Sequence, residues 1–304
     1  MKLKDYWDLI VEIFDQWSDD KAPKLGAALS YYTVFSLAPL LLISIAVAGF
    51  MFGRDAARGT IVRELETLIG REGAILIQNA IRNSSNTDTG IIAAVVSMVT
   101  LFIGATAAFI ELQDSLNIIW KVKSKPGQAI KEFMRTRMIS FALVVAIGFL
   151  LLVSLLISAA ITALNQFMGD FFSIPFWALD IFNLVLSLAV IFVLFSMIFK
   201  VLPDVVLSWK DVRMGALVTT ILFVVGKYLI GLYLGSSSIA STYGAAGSLA
   251  IILVWVYYSA QILFLGAEFT YVYSRRFGSG IHPSRHAVRI EIQKTEAPDK
   301  SPSE

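Results

Sequence analysis

The 304-residue chain has no cysteine, which excludes disulfides, thiolate-ligated zinc or iron–sulfur centres and a thiol nucleophile. Histidine is almost as scarce. Its two copies, His282 and His286, stand four residues apart in a polar tail, where Pro283 and the want of a third ligand point to solvated side chains and no metal site. No phosphate-binding glycine loop, dinucleotide fingerprint, nucleophile elbow or metalloprotease pair occurs. The chain is therefore not read as an enzyme, and no cofactor is expected. Charge is sparse too, at 16% of residues with a net of +2. The basic residues are spread among segments between apolar runs, so nucleic acid is not an expected partner. The first 25 residues carry acids throughout and lack the basic start, short apolar core and cleavage site of a removable signal, so the first apolar run is expected to be a retained anchor.

What is abundant is apolar sequence. Hydrophobic residues make up 57% of the chain and the mean hydropathy is +0.72, whereas soluble domains are about 45–50% apolar and about 25% charged. Crossing about 30 Å of hydrocarbon takes roughly 20 mostly apolar residues. Six stretches meet that test, at 28–52, 90–112, 138–164, 179–199, 214–234 and 248–273. Runs this long and uniform exclude the short alternating strands of a membrane barrel, and helices satisfy their own backbone groups in lipid. The expected fold is an all-α integral membrane protein: a bundle of six transmembrane helices with an amphipathic N-terminal helix and a short helical extracytoplasmic segment.

Nineteen Lys and Arg residues fall in the N-terminal segment, the second and fourth connections and the tail. The first connection holds only Arg54, Arg58, Arg63, Arg71 and Arg82, offset by Asp55, Glu64, Glu66, Glu72 and Asp88. The bias places both termini in the cytoplasm. Residues 1–26 read as a cytoplasmic amphipathic segment, 27–273 as the membrane domain with its external segment at 53–89, and 274–304 as a cytoplasmic tail without fixed structure.

Within residues 3–18, Leu3, Tyr6, Trp7, Ile10, Phe14 and Trp17 lie opposite Asp5, Asp8, Glu12 and Asp15 at helical spacing. The polar face is acidic, so the helix either rests on the lipid interface or docks on the bundle's own basic loops; both readings stand. In 53–89, Ile61, Leu65, Leu68, Ile75, Ile77 and Ile81 suggest two short helices broken near Gly70 and Gly73, forming a cap over the outer mouth or a plain spacer.

Ionisable and polar residues inside spans are costly and are the first candidates for function. Lys227, deep in the fifth span, either lines a polar cavity or stretches to the outer interface. In the second span Ser97, Thr100, Gly104, Ala107, Glu111 and Asp114 form one small-and-polar stripe; the Gly104 to Ala108 spacing fits close packing, which does not require the carboxylates. The sixth span carries Tyr257, Gln261, Phe264 and Glu268, with Glu268 at nearly the depth of Glu111. The two carboxylates either build a cytoplasmic-side polar site or mark helix ends. Pro39, preceded by Ser30, Tyr31, Tyr32, Thr33 and Ser36, should kink the first span. The Gly231 to Gly235 spacing serves packing within or between chains, so a homo-oligomer stays open.

Several of these stretches together resemble the YihY/BrkB family of bacterial inner-membrane proteins. They are Ala27-Ala28-Leu29-Ser30-Tyr31-Tyr32 through Phe35-Ser36 and Pro39; Leu202-Pro203-Asp204 with Trp209 and Gly215-Ala216; Tyr243-Gly244 through Gly247-Ser248; and Trp255 and Tyr257 through Gly266-Ala267-Glu268. The resemblance implies a six-helix protein of the inner membrane whose activity is poorly defined, described in places as a virulence factor or a transporter, with no agreed catalytic residues. An old ribonuclease label attached to some members conflicts with these residues, which offer neither a basic groove nor a metal or acid–base cluster.

Three functions follow in order: a transporter or flippase-like protein for a lipid-related or amphipathic solute, with Lys227, Glu111, Gln261 and Glu268 among its lining residues; a non-transporting envelope scaffold acting through 53–89 and the basic loops; and a ribonuclease. The expected partners are membrane lipids and an envelope protein.

Overall fold

The computed structural model describes residues 3–36, 91–125, 176–236 and 245–290, with the single helical positions Met138, Ala142 and Ala146. Most of the expected spans 28–52 and 138–164, the kink at Pro39, the external segment 53–89 and residues 291–304 lie outside the described residues.

Helix α1 runs over Leu3–Asp19. A turn at residues 20–21, with Lys21 in the left-handed region at φ 55°, leads into α2, helical from residue 22 to the end of that described stretch at 36. Then come α3 (Ile91–Ile119), α4 (Phe176–Val201), α5 (Trp209–Ser236) and α6 (Ala245–Arg276). Among the described residues, three helices are long and apolar enough to cross a membrane, with spans at Leu184–Val201, Trp209–Tyr233 and Leu249–Arg276. Helix α3 covers the expected second span. Each of the four outruns its apolar stretch because charged or polar turns such as Lys200, Lys210, Arg275 and Arg276 extend the ends, and cations in a last turn also suit the helix dipole.

Local chemistry sets the ends. Ser208 caps α5, its Oγ accepting from the Asp211 amide at 3.2 Å. Helix α3 stops where Lys121 takes φ 54° and its amide turns back to the Ile118 carbonyl at 3.0 Å. Two antiparallel pairs of short strands tie the connections together: β1 (Val122–Ser124) with β4 (Ala287–Arg289), and β2 (Val205–Val206) with β3 (His282–Pro283). The tail was expected to lack fixed structure over 274–304, and up to residue 290 it does not. Ala287 is buried, Ser284 donates its amide to the Asp204 carbonyl at 2.9 Å, and Ile290 donates to the Lys121 carbonyl at 2.8 Å. Its polar composition concealed a backbone that completes two strands waiting in other connections.

Helices α5 and α6 pack antiparallel along a reciprocal contact. A side chain at Gly215 would strike Thr270, and one at Gly266 would strike Thr219. Each threonine bonds back to the glycine of its own helix, Thr219 to the Gly215 carbonyl and Thr270 to the Gly266 carbonyl, both at 2.7 Å. Small residues thus bring the two backbones close, which is how helices bind one another where lipid removes the hydrophobic drive. Farther along, Gly226 sits under Tyr258 and Ile262. An aromatic ladder of Trp120, Phe199, Phe195, Phe223 and Trp255 joins α3, α4, α5 and α6.

The deepest core is at one end of the bundle, where the C-terminal ends of α3, α4 and α6 meet the start of α5 and the α1–α2 turn. Leu116, Ile119, Trp120, Phe199, Leu202, Leu207, Val212, Phe264 and Val272 are all buried there.

Candidate functional site

Four polar arrangements hold that end together. Asn117 on α3 and Asp204 after α4 exchange two bonds: Asn117 Nδ2 donates to Asp204 Oδ2 at 3.0 Å, and the Asp204 amide donates to Asn117 Oδ1 at 2.8 Å. Buried Asp211 on α5 accepts from the Ser274 hydroxyl at 2.9 Å and from the Ser279 amide and hydroxyl at 3.2 and 2.9 Å, so it clasps the C-terminus of α6 and the loop beyond. Glu12 on α1 pairs with both Arg275 and Arg276. These three arrangements satisfy their partners and explain themselves as structure.

The fourth does not. Asp20 in the α1–α2 turn forms an ion pair with Lys121, and on its other side it approaches Glu268 of α6 closely enough for the two carboxyl groups to interact. Glu268 is 0% exposed and Asp20 8%. Both oxygens of Glu268, and Oδ2 of Asp20, have no hydrogen-bond partner among the described residues. Lys121 also lies over the Tyr271 ring, 5.9 Å from its centroid, and Arg275 lies 5.6 Å from the same centroid. Burial raises the Asp20 carboxyl above its ordinary value, the Lys121 partner works against that, and Asp19 nearby adds to it.

The rest of the sixth-span stripe continues along the same seam. Gln261 donates from Nε2 to the Ala22 carbonyl at 3.4 Å, and its amide and the Tyr257 ring cover Gly26 of α2. Its Oε1 is buried without a partner among the described residues. Tyr257, Gln261 and Glu268 therefore line the meeting of α6 with the α1–α2 hairpin. Farther up α2, the buried Ser36 hydroxyl receives the Ala108 amide of α3 at 3.3 Å.

Other candidates lie elsewhere. The charged neighbours of Glu268 are Asp20 and Lys121, while the neighbour of Glu111 is Asp114, one turn along α3. Glu111 is half-buried and Asp114 exposed. Lys227 is exposed and edges a shallow crevice shared with Phe223, Ile230, Trp255, Tyr258, Ser259 and Ile262. Sequence reasoning missed Asp20 and Lys121. Asp20 closes an acidic helix, and Lys121 counted only toward orientation. Among the described residues the two non-glycine positions with positive φ, Lys21 and Lys121, mark the turns that carry this pair, and backbone angles cannot be read from residue type. No group of three or more metal-ligating acids or histidines occurs among the described residues.

Comparison with known proteins gives one family and several relatives. The model of the virulence factor BrkB family matches residues 13–291. A "UPF0761 membrane protein" of Tolumonas auensis is 26% identical over 270 residues, covering 83% of this chain and 80% of its own length. Its namesakes in Ralstonia nicotianae and Xanthomonas oryzae pv. oryzae are 24% and 27% identical, over 82% and 84% of this chain and 55% and 58% of their own lengths. The chain thus spans little more than half the length of these last two relatives. No solved structure matches.

Proposed function

This chain belongs to the virulence factor BrkB family, a family of membrane proteins, and from that premise we propose that it is a transporter or flippase-like protein for a lipid-related or amphipathic solute. In this reading six helices cross the bacterial inner membrane, both termini are cytoplasmic, and the protein catalyses no covalent step. The observation that carries it is the polar seam in which Tyr257, Gln261, Glu268, Asp20 and Lys121 meet between α6 and the α1–α2 hairpin. An apolar bundle that buries unpartnered carboxyl and amide oxygens bears a cost of about 1–3 kcal/mol for each such group. A groove that opens to a polar headgroup would put those atoms to use, while the lipid tail stays against the exposed apolar faces of α4 and α5.

The test is native mass spectrometry of the gently extracted protein. A lipid or solute retained by the wild type and released by Gln261→Ala with Tyr257→Phe supports the reading and names the substrate class. A bare protein that co-purifies with one envelope partner transfers the assignment to a scaffold.

A further inference from the structure

We propose that Asp20 and Glu268 form a proton-binding site, in which one exchangeable proton is shared between the two carboxyl groups and Lys121 is the counter-ion. The site stands without the transport reading, because it follows from the bonding of the buried atoms. An ionised carboxylate only accepts hydrogen bonds. Among the described residues, Asp20 Oδ2 and both Glu268 oxygens have no donor, although Glu268 is wholly buried. A single proton on Glu268 turns it into a donor toward Asp20 Oδ2 and relieves two orphaned oxygens at once. It also balances charge. With both carboxylates ionised the pair carries two negative charges against one ammonium; with one proton added, the remaining charge is matched by the Lys121 ion pair.

The described charged groups around the pair come from each packed element. They are Asp19 and Asp20 from the α1–α2 turn, Lys121 from the end of α3, and Arg275 on α6, which is already paired with Glu12. No other cation is therefore placed to neutralise Glu268 among the described residues. The raised Asp20 carboxyl points the same way: a group that holds its proton more tightly in the folded protein contributes stability at low pH and loses it as pH rises. Releasing the proton leaves two like charges face to face where the α1–α2 hairpin rests on α6, so deprotonation loosens that seam.

The experiment is infrared difference spectroscopy of the whole protein in lipid nanodiscs through a pH titration, reading the carbonyl stretch of protonated carboxyl groups. The expected result is a band that disappears as pH rises, that is lost in both Glu268→Gln and Asp20→Asn, and that persists to higher pH by roughly one to three units in Lys121→Met, where the opposing cation is gone. Glu268→Gln and Asp20→Asn each retain a donor for the facing carboxylate, so at least one of them is expected to stay folded by circular dichroism. A wild type with no such titrating band, or a band unchanged in the folded variant, overturns the proposal. Transport is not read here, so a failed transport assay with an intact band would remove the function above and leave the proton site standing.

Discussion

The two ends of α5 follow different rules. At its first turn, Asp211 and Val212 are buried, Ser208 caps the helix, and the Asp211 carboxylate holds three donors from α6 and its loop. Past Lys227 the same helix shows Tyr228, Leu229, Leu232 and Tyr233 at 56–72% exposure, and among the described residues nothing approaches the open side of Gly231 within 4 Å. One end is specified by directional bonds, while the other turns large, mostly apolar side chains outward. Where lipid is the neighbour any apolar side chain serves, so the burden of choosing one packing arrangement falls on the polar end, where each donor has an assigned acceptor.

The difference between the two ends of α5 is most readily abolished at Asp211. Asp211→Ala should cost about 3 kcal/mol or more, since it strands the donors of Ser274 and Ser279; a lowered midpoint of thermal unfolding in detergent checks this, and an unchanged midpoint would mean that the clasp contributes nothing. Next comes Gly266→Ala, whose methyl group would meet Thr219; overpacking of about 1–3 kcal/mol is expected in the same assay. Glu12→Gln should cost less than about 1 kcal/mol, because its two arginine partners are partly solvated and such pairs are weak. Release of α1, followed by limited proteolysis, is its sharper readout. Smallest of all is Gly231→Ala, which should leave stability unchanged or raise it by about 0.5–1 kcal/mol through the better helix former. A loss of stability, or a change in oligomer size, would show that this face meets protein and not lipid.

Sequence patterning located α3, α4, α5 and α6 because twenty apolar residues in a row leave little choice of structure. It also found the stripe of Tyr257, Gln261 and Glu268. What it paired with that stripe was Glu111, on the ground of equal depth, and depth says nothing about which way around the helix a side chain faces. The partner that the structure brings to Glu268 is Asp20, hidden because an acid beside another acid at the end of a polar helix reads as solvated, and only the turn at Lys21 tucks it inward. Residues 277–290 were misjudged for a related reason. Strand pairing draws on backbone groups, so a polar tail can be ordered without any apolar run to announce it. The docking of α1 was left open between lipid and protein; it meets protein through buried Leu9 and Ile13 and through Glu12 on Arg275 and Arg276, while Asp8 and Asp15 of the acidic face and Trp7, Ile10 and Phe14 of the apolar one stay exposed.

The glycine and threonine pairs of α5 and α6 bear on how the protein is made. Because Thr219 and Thr270 each bond to a carbonyl within their own helix, neither hydroxyl waits for the other helix to arrive. Each helix can therefore enter lipid with these two hydroxyls already bonded, and the close fit of Gly215 and Gly266 is met afterwards, by sideways docking of one helix on the other. Entry and assembly of this helix pair are then expected to be separable, and substitutions at the glycines should impair the second step while sparing the first.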